Sequence, residues 1–539
     1  MKKSLFLFLA LCSSVSLFAQ GTFSGDLATN INFFQKDTSI RAAGNPLYDN
    51  TLSGGEAWLS LRYSNNGFTA FVRGDIFNNS NLKNPTTPMT DFGLAAWSLS
   101  KDINDLSITV GTIYDQIGSG ILFRSYEDRG LLIDNALVGL ELKYKLSDKI
   151  MMKGFTGQQR NNNFVNNVRY GPVLKGFNAE GDYNVGNAHI IPGVGVLNRT
   201  LDAGSMESVA ASINSQDIST RFNPMYNMYA FTAYNTFTYK NFSWYAEGAY
   251  KTHEAIQETR AYDPNYGKLV DKPGNIQYTN LSYGRKGIAL SLSGKRTENF
   301  VMRTSPREIL LNGMLNWQPV VAVLRPMRLM SRYSPPSQDI SEKAGTANLL
   351  LSPNDVTSLT FTYSHINTLD DRKLFREVYA EGIYQGMDKW VFEGGVQYLE
   401  YNTNLYQNRK APIQFAITPF VEITHKISDT KSIRAEFQYM HAKHDYGSWA
   451  YALVEFNVAP KWSISASDMF NAVPNPQDDN QYYKNPGNHY YNLFAAYTKG
   501  PNRFTLAYVK QVDGINCTGG VCRYEPAFSG VKATISSTF

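Results

Sequence analysis

The sequence predicts an all-β protein: a single large antiparallel transmembrane β-barrel of about 24 strands, within a range of roughly 22–26. Three observations carry this expectation. Apolar and polar side chains alternate along nearly the whole chain, and the connections between the alternating runs come in two lengths. Aromatic residues are also abundant (34 Tyr, 31 Phe and 7 Trp) although mean hydropathy is negative. Only every second residue of a barrel strand meets lipid, so a large barrel is aromatic-rich without being apolar overall.

The N-terminus is read separately. Lys2 and Lys3 precede an apolar run from Leu5 to Leu11, continued through Val15 to Phe18, with a small residue at Ala19. This is the pattern of a secretory signal peptide spanning residues 1–19, cut between Ala19 and Gln20. Cys12 does not make a lipoprotein site, because Leu11 before it is too bulky. From residue 20 to 539 no low-complexity linker or charge block divides the chain. Its longest apolar stretch, Pro319 to Leu324, is far too short for a helical span. A formal net charge of +5 points to neither nucleic acid nor a basic surface-binding tail.

Each run can be checked for faces. Phe68, Ala70, Val72 and Ile76 oppose Thr69, Arg73 and Asp75; Leu359, Phe361 and Tyr363 oppose Thr360, Thr362 and Ser364. Ile433, Ala435, Phe437 and Tyr439 oppose Arg434, Glu436 and Gln438. In the last run Val531, Ala533, Ile535 and terminal Phe539 oppose Lys532, Thr534, Ser536 and Thr538. A soluble sheet rarely tolerates so many charges on its second face, whereas a water-filled lumen does. Short turns rich in Gly, Pro, Asn and Asp recur, among them Asn65-Asn66-Gly67, Ser147-Asp148-Lys149, Lys240-Asn241 and Val458-Ala459-Pro460. Long polar loops alternate with them, such as Asp202 to Arg221 and Asn471 to Asn488. Short turns in the periplasm and long loops outside is the rule for such barrels. Trp97, Trp244, Trp390 and Trp462 sit near the short turns, as an interfacial girdle would; ordinary core positions are the alternative.

Signals for catalysis are weak, so no enzyme and no cofactor is expected. Seven histidines lack metal-ligand spacing, and His441 and His444, three apart, would fall on opposite faces of a strand. Two insertions stand out instead, near 115–134 and 298–342. The first carries Asp115, Arg124, Glu127, Asp128 and Arg129 around Gly118-Ser119-Gly120. Folded into the lumen, its opposed charges would orient and filter polar solutes; as a surface loop they would simply pair locally. The second carries Arg296, Arg303, Arg307, Arg325, Arg328 and Arg332 among methionines and Trp317. Guanidinium groups suit carboxylates and phosphates. They would line an anionic-ligand site, touch lipopolysaccharide, or pair with lumen carboxylates such as Glu377, Glu381, Glu393 and Glu436. Cys517 and Cys522 enclose Thr-Gly-Gly-Val in the last long loop, and a loop-stapling disulfide is expected there.

Two segments carry a family resemblance: Gly519 to Ala527 before the closing strand, and Tyr114 to Asn135 with its Gly-Ser-Gly and Ser-Tyr-Glu-Asp-Arg. The chain resembles an uncharacterised, domain-of-unknown-function family of Bacteroidota-type outer-membrane barrels. That resemblance implies outer-membrane localisation and a barrel, and supplies no activity. A TonB-dependent receptor fits less well, because amphipathic sequence already begins at Thr22. The expected function is a porin-like channel for small polar or anionic solutes, narrowed by the in-folded loops. The alternative is a non-transport structural, assembly or surface-binding subunit. Expected partners are the outer membrane with its lipopolysaccharide, and the barrel assembly machinery acting through the strand that ends at Phe539.

Overall fold

The computed structural model describes residues 21–82, 87–160, 165, 170–260, 263–308, 312–336, 340–407, 411–475, 488–518 and 521–539. The proposed signal peptide, residues 1–19, lies outside the described residues. From Thr22 to Thr538 the chain forms one closed antiparallel barrel of 24 strands. Tyr170–Gly181 and Tyr183–Val185 count as a single strand interrupted at Asp182. Closure joins the first strand, Thr22–Phe34, to the last, Phe528–Thr538, with Asp26 opposite Thr538 and Phe34 opposite Gly530. Phe539 completes the seam: its N–H donates to Gly25 O at 3.0 Å and its carbonyl accepts from Gly25 N at 2.8 Å.

The alternation seen in the sequence becomes two faces. Phe361, Tyr363, Val378, Ile417, Val421, Ile433 and Phe437 all point outward and are exposed, an apolar band of the kind lipid covers. Trp97, Trp244, Trp390 and Trp462 are exposed on that same outer side, within a few residues of the short turns. The tightest of those turns are local chemistry. Asn66 and Gly67 sit at φ 47° and 73°, the left-handed pair that a two-residue hairpin requires and that Asn-Gly supplies cheaply.

The other end is elaborate. The 201–226 connection carries a helix, Ala203–Asn214, whose first turn is capped by Asp202 accepting from Ser205 N at 2.8 Å. Val209 and Ile213 pack it against Ala255 and Leu269 of the neighbouring strands. Glu298 ends one strand and Glu342 begins the next, the two strands pair directly, and the described residues between them add no strand to the barrel.

Burial along single strands shows where the excursions go. In Gln414–Ser428 the inward residues Gln414, Ala416, Thr418 and Phe420 are buried, and from Glu422 onward they are not. Asn227–Tyr239 repeats this, with Met228, Ala230, Thr232 and Tyr234 buried and the last five residues open. Both changes occur part-way from the long-loop end to the short-turn end. The lumen is therefore packed in its loop half and water-lined in its turn half.

Candidate functional site

Three segments fill the loop half: 35–52, 114–136 and 299–341. The first of these was not foreseen in the sequence. Its Ile40, Ala42, Leu47 and Tyr48 join Leu329, Tyr333 and Ile340 in an apolar core with wall residues Phe375, Leu399, Tyr401, Met440, Trp449 and Phe528. Tyr48 donates to Ala527 O at 3.0 Å, and burial pushes its phenol up to about 12. A second core joins Ile117, Ile121, Leu122 and Phe123 to Phe300, Met302 and Leu315, against wall residues Phe155, Leu174, Leu197, Met228 and Ile276. Gly195 makes room for it, since a Cβ there would lie 2.5 Å from Ile117 Cγ2. A smaller core around Trp58 and Phe77, with Leu132 against it, covers the remaining sector. The plug thus meets the wall around the ring.

Polar groups lock the same interface. On the wall, Arg73 bonds Asp75 at 2.8 Å and reaches plug residues Glu127 and Asp134, both at 2.8 Å. Arg160 meets Asp134 from the next sector at 2.8 Å. Burial raises the Glu127 carboxyl above its ordinary value, against the pull of Arg73 and Arg129. Lys295 on the wall bonds Glu342 at 2.6 Å and Pro319 O at 2.7 Å. The wall residue Glu247 accepts from Ser119 N at 3.1 Å and from Thr232 at 2.9 Å. A buried charge is retained at tolerable cost only when paired in this way.

The residues singled out in the sequence separate into groups. Asp115 faces Lys143 and Lys153, each at 2.8 Å. Burial opposes its ionisation, yet its hydrogen bond with Glu141 and the two lysines hold its carboxyl below the usual range. Arg124 lies over the rings of Tyr126 and Trp317, 4.6 and 5.3 Å from their centroids. Asp128 is a turn-former, accepting from Leu131 N at 2.9 Å. Arg129 spans Glu127 and Asp26, at 3.2 and 3.3 Å. These five therefore belong to one in-folded segment.

The arginine cluster disperses. Arg296 is on the outer face, because its neighbours Lys295 and Thr297 are the buried, inward ones; it pairs with Glu298 at 2.8 Å. Arg303 donates to Asn312 O at 2.6 Å inside the plug, and Arg307 ties to Ser212 of the loop helix. Arg325 grips Glu377 of the wall with two bonds, 3.0 and 3.1 Å, and lies 3.6 Å from the ring centroid of Tyr379. Among the described residues Arg328 and Arg332 form no ion pair, and Glu525 is the carboxylate whose field reaches Arg328. Cys517 and Cys522 face each other in the hairpin Gly514–Thr518 and Val521–Glu525, but their side chains lie outside the described residues.

The sequence named Glu381, Glu393 and Glu436 as lumen carboxylates without placing them together or adding Glu422 and Glu455. Glu381, Glu393, Glu422, Glu436 and Glu455 share one wall, opposed by Arg434, which reaches Glu422, Glu436 and Glu455 at 2.7, 3.4 and 3.3 Å. The pairing register makes them one surface: Glu422 faces Glu393 on one side and Glu436 on the other. Among the described residues no group of acids, histidines and cysteines is arranged to hold a metal ion.

A family model matches residues 1–539. The chain belongs to DUF6029, a family of unknown function. No curated protein matches the sequence. Among solved structures, the siderophore receptor PirA from Pseudomonas aeruginosa aligns with 9% identity and a TM-score of 0.41, covering 96% of this chain and 80% of that one. The P pilus usher PapC translocation pore gives 10% identity and 0.42, covering 96% and 99%. OccAB3 of Acinetobacter baumannii gives 9% and 0.35, covering 97% and 100%. At such scores nothing about cargo transfers to this DUF6029 chain.

Proposed function

We propose that this DUF6029 protein is an outer-membrane transport barrel that rests closed, sealed on its long-loop side by its own in-folded segments and open to the periplasm on the other. The observation that carries the reading is the division of the lumen. A packed half blocks free diffusion, and a charged, water-lined half is what a solute pathway needs and an inert scaffold does not. Export by the N-terminal signal, loops facing outward near lipopolysaccharide, and assembly through the terminal strand belong to the same proposal. No catalytic step is part of it. The acidic wall from Glu381 to Glu455 turns the expected preference away from anions in general and towards polar solutes bearing positive charge.

Planar-bilayer conductance tests this. The native barrel should show rare, brief openings, and replacing 305–335 by a short Gly-Ser linker should give steady, cation-preferring current. A native barrel with steady large conductance, or a folded but silent linker variant, would defeat the proposal.

A further inference from the structure

Arg328 and Arg332 sit together on one turn of the plug, apart from the arginines that clamp it to the wall. Arg73, Arg129, Arg160 and Arg325 each meet a carboxylate, and Arg124 has two rings close to it. Arg328 and Arg332 lie four residues apart across the short helical turn Met330–Tyr333, with no side-chain hydrogen bond and no ion pair among the described residues. Arg332 stacks at 4.3 Å over Trp449 and 5.5 Å from Tyr446. Its Nε is buried without an acceptor, as is the indole Nε1 of Trp449, a residue with no exposed surface at all. Arg328 is wetted although it lies within the barrel ring. Burial and then the neighbouring Arg332 lower its proton affinity below the ordinary value, against the opposing pull of Tyr451 and Glu525.

The turn is fixed rather than loose. Leu329 N donates to Gln438 Oε1 of the wall at 2.8 Å, and Tyr333 donates to Asp445 at 2.8 Å. Both arginines are thus held on one fixed turn of the plug, whose anchor Gln438 also donates to Glu436 of the acidic wall, and Arg332 Nε is a buried donor with no acceptor among the described residues. Buried donors normally find one.

We propose that Arg328 and Arg332 form an oxyanion-recognition site, taking the carboxylate or phosphate of a small solute that enters the open half of the lumen. This rests on the transport reading above and specifies it. With the acidic wall nearby, the solute class it implies carries both charges, an anionic group for the arginines and a cationic one for the carboxylates. Guanidinium pairs grip planar or tetrahedral oxyanions through forked hydrogen bonds.

The test is calorimetric titration of the full-length, detergent-solubilised barrel with inorganic phosphate and, separately, acetate, at constant ionic strength. Arg328→Gln, a substitution at a wetted position, should weaken binding at least tenfold, as should Arg332→Gln. Arg503→Gln, on the wall strand Asn502–Gln511 away from this turn, should leave it unchanged. Phosphate alone, acetate alone or both binding with this dependence supports the site and tells its sources apart. No binding of either, or binding indifferent to Arg328→Gln, overturns it. Because binding is read at equilibrium in the closed protein, a barrel that conducts freely but keeps the site would sink the gating reading and spare this one.

Discussion

The contact between Arg325 and Glu377 offers the sharpest test of the plug as a gate. The two groups are joined by paired bonds of 3.0 and 3.1 Å, with side-chain exposures of 7% and 1%, and Glu377 also accepts from Gln397 at 2.7 Å. Arg325 is on the plug and Glu377 on the wall strand Lys373–Met387, so the pair exists only while the segment is seated. Arg325→Met leaves a desolvated carboxylate with a single donor, a loss of about 3–5 kcal/mol for a broken buried pair. In a displaced state water solvates Glu377, so most of that loss falls on the closed form. The closed-to-open ratio should therefore drop by about two to three orders of magnitude. Adding Glu377→Gln removes the orphan charge and keeps an acceptor for Gln397, so the double variant should recover most of the closure. Open probability in bilayers and hydrogen exchange over 320–335 read the same equilibrium. If the single variant leaves both unchanged, or the double is as open as the single, Arg325 is not a latch.

Other perturbations probe separate parts of the structure. Gly195→Val places a methyl-bearing carbon against Ile117, where a Cβ would come within 2.5 Å; overpacking of about 1–3 kcal/mol should raise exchange at 116–124 while heat-modifiable gel migration persists. Deleting Phe539 removes both backbone bonds to Gly25, worth about 0.5–1.5 kcal/mol each, and should reduce the yield of the heat-modifiable form; a normal yield would deny the closing strand its assembly role. In the loop after Gln257, burial disfavours the Glu258 carboxylate, yet bonds from Arg260 and Lys272 hold its pKa to about 2 against an ordinary 4.5. A depressed folded value means the loop gains stability above pH 4.5 and loses it as pH falls towards 2. Exchange of the Glu258 and Gly267 amides should rise across that window, and Glu258→Gln should flatten the response.

The barrel was legible because its causes are local. Alternation fixes each strand's faces, and Asn66-Gly67 or Asp102 to Asp105 fixes where the chain reverses, so strand number follows from patterns a few residues long. The plug was legible only in part. The segment from Asp115 to Asn135 advertised itself by mixing charges with glycines, and 299–341 by being too apolar for a solvated loop. The 35–52 segment carried neither signal: Ile40, Leu47 and Tyr48 are spaced among polar residues and acquire a core only through contacts with Leu329, Tyr401 and Phe528, hundreds of residues away. The acidic wall was legible as separate lumen carboxylates but not as one surface, for a related reason. Glu393, Glu422 and Glu436 sit on three successive strands and become one surface only when the register sets Glu422 between the other two. The arginines show the converse. Six in one stretch of sequence suggested one lining, but strand alternation turns Arg296 outward, Ser212 draws Arg307 to the loop helix, and Glu377 takes Arg325. Arg328 and Arg332, which form no ion pair among the described residues, are the pair proposed to take a ligand. Sequence clustering thus says where charge is available, and only pairing across the wall decides which of it is still free to act.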